Sequence, residues 1–339
     1  MEYFRERFDE YLNENWPVQI STFTFESAEV FKTQSKRDYE ASFTEWVQQE
    51  RQKARDRARE FLQVTGCLER FDALSDRLAK QNVLPFIGAG MSVASGYLTW
   101  GRFIESLLVD APHATETVHS LIQSNQFEEA AQAAQRELGP DVFSEEIRNR
   151  LGSKRQILAG PVLLLPHVFE NEVLTTNFDY VISRAYKDAG RSFVSEISGA
   201  ALREAPTRLG TDPHCLLRLH GEAGSDVGRV LTLEEYQATY TEDRTLSALL
   251  SEISGPRSFL FLGCSLRTDR TLAALKTIKA NSPLGRPPHY AILPLEPDES
   301  RSARRRELAD AGIHPIYYPS EDHDQCIEDI LLSLMEETQ

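Results

Sequence analysis

Cysteine is scarce in this chain of 339 residues. Its four cysteines, Cys67, Cys215, Cys264 and Cys326, lie far apart, and none belongs to a C-x-x-C pair. The sequence therefore offers neither a disulfide framework nor the paired thiolates of a zinc knuckle. We expect reduced thiols, a cytoplasmic location and no bound metal.

Long apolar runs and positive charge are also lacking. No window approaches the roughly 18 consecutive apolar residues of a membrane helix, and the charged start MEYFRERFDEYL does not resemble a signal peptide. Lys and Arg number 37 against 52 Asp and Glu, which gives a net charge of −15. A general nucleic-acid binder must neutralise phosphates, so we expect a soluble protein without direct nucleic-acid binding. The basic stretch at 51–59 is interpreted as a solvated helix face.

What the sequence does contain, from Asn82 onward, is an alternation of strand and helix patterns. Six short apolar runs predict strands: NVLPFIGAG, EVLTTN, CLLRLHG, SFLFLGCS, HYAILP and GIHPIYY. None of them alternates cleanly between apolar and polar residues, which is typical of parallel strands covered on both faces. Helical patterns separate them, at 178–188, 233–251, 269–279, 300–311 and 322–336. This order predicts an α/β fold with a Rossmann-like, doubly wound parallel sheet.

Two regions depart from this alternation. Residues 1–80 look mostly helical, with apolar positions at helical spacing from Ser42 to Leu62. We interpret them as a helical N-terminal extension that packs on the main domain or serves as an assembly element. Residues 101–170 contain three helical patterns and no strand, which indicates a small helical module inserted into a catalytic domain spanning 81–339.

A glycine turn follows the first predicted strand. Gly88, Ala89 and Gly90 would let the backbone approach a phosphate, and the next helix would offer free N–H groups. Val93 occupies the third glycine position of the Rossmann fingerprint, so the motif alone could be an ordinary turn. Downstream, Ser92 and Trp100 fit either a cap and a core side chain or a loop that closes over a nucleotide.

Polar side chains stand at the ends of three further strands. Asn177 and Asp179 follow EVLTT, His220 ends LLRLHG, Ser265 ends FLFLGCS, and Asp269 opens the next helix. Each has a simpler interpretation: Asn177 or Asp179 could cap the following helix, and His220 could be a hydrogen-bonded structural histidine. Because ligands of open α/β sheets bind at the carboxyl ends of the strands, we expect these residues to converge with the glycine turn.

Four motifs in this order, GAGMS, TTNFDYV, LHG and FLGCSL, resemble the sirtuin superfamily. More narrowly, residues 82–325 resemble bacterial sirtuin-like NAD hydrolases associated with antiphage defence. The resemblance implies a Rossmann-like site for NAD+ as substrate. Sirtuin deacylases carry a zinc module built from two C-x-x-C pairs, which this chain lacks, so hydrolysis is favoured over deacylation.

The resemblance also implies roles for particular residues. Asn177 would position a water beside the nicotinamide ribose, Asp179 would contact the nicotinamide carboxamide, and His220 would be the catalytic histidine. The residues that it implies for dinucleotide binding are Gly88, Ala89, Gly90, Ser92, Trp100, Thr176, Gly263, Ser265 and Asp269.

The expected activity is cleavage of NAD+ to nicotinamide and ADP-ribose. The resemblance implies a regulated effector that defends against phage by depleting NAD+. It also implies a homo-oligomer gated by a partner ATPase, another activating protein or a nucleotide signal. Two alternatives remain open: a non-catalytic sensor of NAD or ADP-ribose, and an NAD-dependent deacylase or ADP-ribosyltransferase.

Overall fold

Seven parallel strands form the central sheet of the protein. The computed structural model describes residues 2–154, 156–209, 211–212, 214–241, 245–267, 270–282, 285–297 and 299–335. The strands in chain order are β1 (Val18–Ile20), β2 (Phe23–Phe25), β3 (Val83–Ile87), β4 (Glu172–Thr175), β5 (Ser195–Ser198), β6 (Cys215–Arg218), β7 (Ser258–Leu262), β8 (His289–Leu295) and β9 (Ile313–Pro319). Within the described residues the main sheet has the order β5-β6-β4-β3-β7-β8-β9, and β1 and β2 form a separate antiparallel hairpin.

The sheet confirms the predicted fold class. The runs that form β3 and β7 are buried at every residue, as parallel strands between two layers of helices require. All six predicted strands are present. Strand β5 was not predicted, because its four residues at the sheet edge bury only Ile197 and therefore contain no apolar run.

Helices follow most of the strands. They are α1 (Arg5–Asn15), α2 (Ser27–Gln34), α3 (Lys36–Val64), α4 (Leu68–Ala79), α5 (Trp100–Ser106), α6 (Thr115–Gln123), α7 (Phe127–Leu138), α8 (Pro140–Leu151), α9 (Leu165–Val168), α10 (Val181–Asp188), α11 (Ala205–Arg208), α12 (Leu233–Thr239), α13 (Leu246–Ser254), α14 (Arg270–Ala280), α15 (Arg301–Asp310) and α16 (His323–Leu334). Between β3 and β4 the described residues contain helices and 3-10 turns and no strand, in agreement with the predicted helical insertion.

The helical pattern at 233–251 corresponds to two helices, α12 and α13. Each helix has its own N-cap: the side chain of Thr232 accepts from the backbone of Glu235, and that of Thr245 accepts from Ala248. An N-cap residue satisfies free N–H groups of the first turn and thereby starts a helix. The second cap, at Thr245, therefore starts a new helix within the stretch.

The N-terminal region packs against the last strand and helix of the sheet domain. On α3, Arg57 donates to both carboxylate oxygens of Asp329 on α16 at 2.7 and 2.8 Å. At the corner between α3 and α4, the Thr65 hydroxyl donates to the carbonyl of Tyr317 on β9 at 3.1 Å. The region is mostly helical, as expected, but it also contains the β1–β2 hairpin, which the sequence pattern did not indicate.

The order of the strands creates a switch point between β3 and β7. From β3 the chain moves to β4 on one side, and after β6 it returns to place β7 on the other side. Loops therefore diverge at the carboxyl ends of β3 and β7, and such a crevice is where open α/β sheets bind ligands. The glycine turn follows β3, and Gly263 follows β7.

Candidate active site at the carboxyl ends of the strands

A cavity of about 670 Å³ opens at the carboxyl edge of the sheet. Its size lies within the range of small-molecule and cofactor pockets, about 300–1,000 Å³. The predicted site residues that line it are Gly88, Ala89, Gly90, Trp100, Thr176, His220, Gly263 and Ser265. Asp269 lies outside the described residues.

The glycine turn is tightly packed against the loop after β7. A Cβ atom at Gly88 would lie 2.5 Å from the carbonyl oxygen of Gly263, and one at Gly90 would lie 2.9 Å from the Gly263 Cα. The Gly90 N–H already donates to the Gly263 carbonyl at 2.9 Å, and the Met91 N–H donates to the Gly88 carbonyl at 3.2 Å. The glycines are thus required for loop packing, and these two N–H groups are not free for a phosphate.

The segment after the turn also differs from expectation. Residues Ala89–Ser95 form a 3-10 helix, and the first α-helix begins only at Trp100. The α-helix N-terminus expected directly behind the glycine turn is therefore absent from this stretch, all of which the structure describes.

Asn177, in the loop after β4, has a carboxamide with a fixed orientation. Its Nδ2 donates to the carbonyl of Gly88 at 3.1 Å and to the hydroxyl of Ser92 at 3.2 Å, and the residue is 1% exposed. Because the Gly88 carbonyl can only accept, the nitrogen must face it and Oδ1 must point away. Oδ1 is buried and has no hydrogen-bond partner among the described residues. Such an orphaned acceptor is unusual in a folded protein and calls for a water or ligand.

His220 follows strand β6 at the position that corresponds to Asn177 after the neighbouring strand β4. Thr175 of β4 pairs with Arg218 of β6, and each candidate residue lies two positions beyond its strand's paired residue. Both ring nitrogens of His220 are buried without a partner among the described residues, and the residue lines the main cavity. Burial lowers the pKa of His220 to about 4, so the imidazole is neutral near pH 7 and can accept a proton.

Trp100 covers the histidine from the inserted helical module. Its ring meets that of His220 edge-on, with centroids 5.4 Å apart, and it also contacts the ring of Phe178 at 5.3 Å. The functional interpretation of Trp100 as part of a loop over the site and its interpretation as packing are thus compatible. The tryptophan lines the main cavity and also a smaller neighbouring one.

Asp179 precedes Tyr180, the N-cap of helix α10, and satisfies an N–H group of the first turn, which is close to the simpler of the two roles considered for it. Its Oδ1 accepts from the N–H of Val181 at 2.9 Å. Burial raises the pKa of Asp179, and the Val181 N–H, the Ser92 hydroxyl and the Arg218 charge oppose that rise. With Asn177 and Trp100 it lines the smaller cavity of about 20 Å³, which has room for about one water molecule. Its contact with nicotinamide remains a prediction.

Ser92 was expected to bind the dinucleotide, but it contacts Asn177 instead. It lies in the glycine-turn segment, but its hydroxyl accepts from the Asn177 carboxamide rather than lining the main cavity. Ser92 is therefore placed to orient Asn177.

Several charged residues of the cavity were missed by sequence reasoning. Three arginines line it, each close to a glutamate: Arg102 with Glu105 at 3.6 Å, Arg267 with Glu299 at 3.0 Å, and Arg270 with Glu128 at 3.6 Å. They lie outside any recognisable motif. Arg218 was also missed, although a lone arginine at the end of the apolar run CLLR could have drawn attention.

Metal-binding clusters and membrane-spanning helices are both absent from the described residues. No group of three or more His, Cys, Asp or Glu side chains among them is arranged to hold a metal ion. No helix in the same part of the chain is long and apolar enough to span a bilayer.

Residues 171–316 match the family model of the SIR2-like domain. The matched range includes Asn177, Asp179 and His220, and it confirms the resemblance to sirtuins predicted from the motifs. The glycine turn lies before the matched range.

Three curated proteins that resemble this chain carry the name NAD(+) hydrolase ThsA. The protein from Enterococcus faecium is 21% identical over 222 residues, covering 65% of this chain and 44% of its own length. That from Bacillus cereus (strain MSX-D12) is 22% identical over 243 residues, covering 68% and 48% respectively. That from Cytobacillus dafuensis is 26% identical over 193 residues, covering 56% and 36%. The chain thus spans less than half the length of these relatives.

Proposed function

We propose that this protein cleaves the bond between nicotinamide and ribose in NAD+, releasing nicotinamide and ADP-ribose. One observation carries the proposal: the acceptor oxygen of Asn177 and the ring nitrogens of His220 are buried without partners on neighbouring strand ends. The match to the SIR2-like domain and the names of the relatives support NAD+ as the substrate.

The chemistry that these groups would perform follows from the leaving group. Nicotinamide departs as a neutral ring from a cationic one, so it needs no acid. The site must instead tolerate positive charge developing on the ribose and deliver a water to the anomeric carbon. The Asn177 carboxamide oxygen can accept a hydrogen bond from that water and orient it. Neutral His220 can accept a proton directly or through a ribose hydroxyl, a contribution of typically about 10²–10⁴-fold.

His220 lines the main cavity and Asn177 the smaller neighbouring one, and the main cavity suits the rest of a dinucleotide. Arg102, Arg267 and Arg270 supply positive charge for the pyrophosphate, and their glutamate neighbours keep them from being unpaired before the substrate binds. Asp179, beside Asn177, is our candidate for holding the nicotinamide carboxamide.

The biological part of the proposal rests on the resemblance. We place the enzyme in the cytoplasm, as a regulated homo-oligomer that depletes NAD+ in defence against phage after activation by a partner protein or nucleotide signal. Residues 1–80 are the proposed assembly element. Deacylation stays in second place, because the chain has no C-x-x-C pairs for the zinc module of deacylases.

The test is product analysis with the purified full chain at high concentration. Chromatography should show NAD+ converted to equal amounts of nicotinamide and ADP-ribose. Asn177→Ala should lower the rate by about 10²-fold or more, as loss of a preorganised polar group does. Asn171→Ala is the matched control, since Asn171 precedes the same strand at its exposed amino end, and its rate should stay within about twofold.

Other products would contradict the proposal in distinct ways. Binding of NAD+ or ADP-ribose without any turnover would identify a sensor. Turnover only with an acylated peptide, yielding an acylated ADP-ribose, would identify a deacylase. Equal rates for the Asn177→Ala variant and the wild type would remove Asn177 from the mechanism.

A further inference from the structure

We infer that Arg218 is a positioning residue of this site, which holds the loop that carries Asn177 and Asp179 in its reactive conformation. The inference rests on the proposed function and names a residue that neither the motifs nor the comparisons assign. Arg218 ends strand β6, two residues before His220. Its side chain acts from beneath the loop and does not itself line the cavity.

The guanidinium is directed at the backbone of the loop. It is 1% exposed, and its Nη1 donates to the carbonyl oxygen of Asp179 at 2.9 Å and to that of Asn177 at 3.3 Å. Its Nη2 donates to the hydroxyl of Ser183, in the first turn of α10, at 2.8 Å. One side chain therefore joins the end of β6, the loop after β4 and the start of α10.

The positive charge of Arg218 is balanced by the carboxylate of Glu196. Its Nε donates to Oε2 of Glu196, on edge strand β5, at 3.1 Å, and the guanidinium carbon lies 5.4 Å from the centre of the Tyr180 ring. A planar group with several fixed donors can serve all these partners at once. The single ammonium of a lysine cannot.

These bonds bear directly on the carboxamide of Asn177. Arg218 holds the main-chain carbonyl of that residue, while Gly88 and Ser92 hold its side-chain nitrogen. The direction of Oδ1 depends on both sets of contacts, because rotation of the backbone would carry the side chain with it. A displacement of about 1 Å at a reacting group can cost about 10²-fold in rate.

A second arginine, which is partly buried, provides a control at the amino ends of the strands. Arg257, just before β7, donates to Glu172 at 2.7 Å and to the carbonyl of Ile253 at 3.1 Å. It is also an arginine paired with a glutamate of the sheet, here on β4, which is separated from β7 by β3. It is far from the loop, because Glu172 begins strand β4 whereas the loop follows its end.

The experiment compares Arg218→Met, Arg218→Lys and Arg257→Met in the full chain. For Arg218→Met we expect kcat for NAD+ cleavage to fall about 10²-fold with KM within about threefold of wild type. The loop amides of Asn177 and Val181 should exchange hydrogen about tenfold faster or more. Arg257→Met should leave kcat within about twofold and the loop amides at wild-type exchange rates.

Arg218→Lys separates positioning from a merely structural role. Lysine keeps a positive charge for Glu196, so the melting temperature should return towards wild type. A single ammonium cannot also hold both loop carbonyls, so kcat should remain about tenfold low or more. If Arg218→Met does not fold, the exchange measurement is made on Arg218→Lys, which should still show faster exchange at Asn177 and Val181.

Two results would overturn the inference. One is wild-type exchange of the loop amides in both Arg218 variants. The other is recovery of kcat and melting temperature together in Arg218→Lys, which would show a role in stability alone. If the wild-type chain does not cleave NAD+ at all, the proposed function fails, and the exchange data alone decide whether Arg218 orders the loop.

Discussion

Several polar groups are hydrogen-bonded at the amino ends of the central strands (the amino edge), whereas others at the carboxyl ends (the carboxyl edge) lack partners among the described residues. At the amino edge, Nδ1 of His289 accepts from the N–H of Phe259 at 3.0 Å, and Arg257 is paired with Glu172. At the carboxyl edge, both nitrogens of His220 and the carboxamide oxygen of Asn177 have no partner among the described residues. An unmet buried hydrogen bond costs about 1–3 kcal/mol, so only the amino edge has the arrangement expected of a purely structural region.

The two histidines show which signal is informative. Burial lowers the pKa of both His220 and His289 to about 4. A shifted pKa therefore does not distinguish the candidate catalytic group from the structural one. The difference lies in hydrogen bonding. Nδ1 of His289 accepts from the Phe259 N–H, whereas neither ring nitrogen of His220 has a partner among the described residues.

The largest expected effect is an opposite response of the two histidines to substitution: His220→Ala should lower kcat, and His289→Ala should lower stability. His220→Ala should lower kcat by about 10²–10⁴-fold and change the free energy of unfolding by less than about 1 kcal/mol, since it removes an unpaired group beside a cavity. His289→Ala leaves the Phe259 N–H without its acceptor and removes a packed ring. It should cost about 2–4 kcal/mol of stability while kcat per folded molecule stays within about twofold.

Urea unfolding and NAD+ cleavage, both measured at low temperature where the variants are folded, test this opposite response. Loss of activity and stability together in both variants would break the comparison between the edges. So would a His220→Ala protein that cleaves NAD+ at the normal rate.

The strands could be predicted from local apolar runs, and so could the position of Asn177 and His220 at the same edge of the sheet. Runs such as SFLFL are apolar on both faces, and the parallel order of strands brings Asn177 and His220 to one edge. Edge strand β5 could not be predicted, since burial of Ile197 alone leaves no periodic signal. The split of 233–251 was readable in principle, from Thr245, an N-cap residue in the middle of the stretch.

The finer geometry of the site depends on partners distant in sequence. Gly88 is required by its contact with Gly263, and the orientation of Asn177 depends on Ser92 and Arg218. The resemblance to sirtuins assigned Ser92 to the phosphate-binding turn. Only the packing of the loops after β3, β4 and β7 shows that its hydroxyl meets a carboxamide.

A smaller effect should appear in the pH dependence of stability. In the unfolded chain His220 and His289 bind a proton near pH 6.5, whereas in the folded chain they do so only near pH 4. The unfolded state thus binds more protons in this window, and stability falls as pH decreases through it. Each histidine should contribute about 1.4 kcal/mol per pH unit.

Urea unfolding at pH 7 and pH 5 measures this loss, and the wild type should lose more stability than either His220→Ala or His289→Ala. NAD+ cleavage, in contrast, should not decline between pH 8 and about pH 5.5, since neutral His220 persists there. A decline with a midpoint near pH 6.5 would mean that the pKa of His220 is not lowered, and the comparison of the two histidines would fail.

The smallest expected effect concerns Asp179, which lies at the carboxyl edge but already has a structural partner. Asp179→Asn keeps an oxygen for the Val181 N–H, so the free energy of unfolding should change by less than about 1 kcal/mol. Replacing the carboxyl group by a carboxamide should weaken the hydrogen bond to the nicotinamide carboxamide and raise KM about tenfold, or about 1.4 kcal/mol. Asp179→Ala, which also removes the acceptor of the Val181 N–H, should cost about 1 kcal/mol more in stability. If Asp179→Asn leaves KM unchanged while Asp179→Ala only lowers stability, the role of Asp179 is structural, like that of His289. Nicotinamide must then be held by another residue.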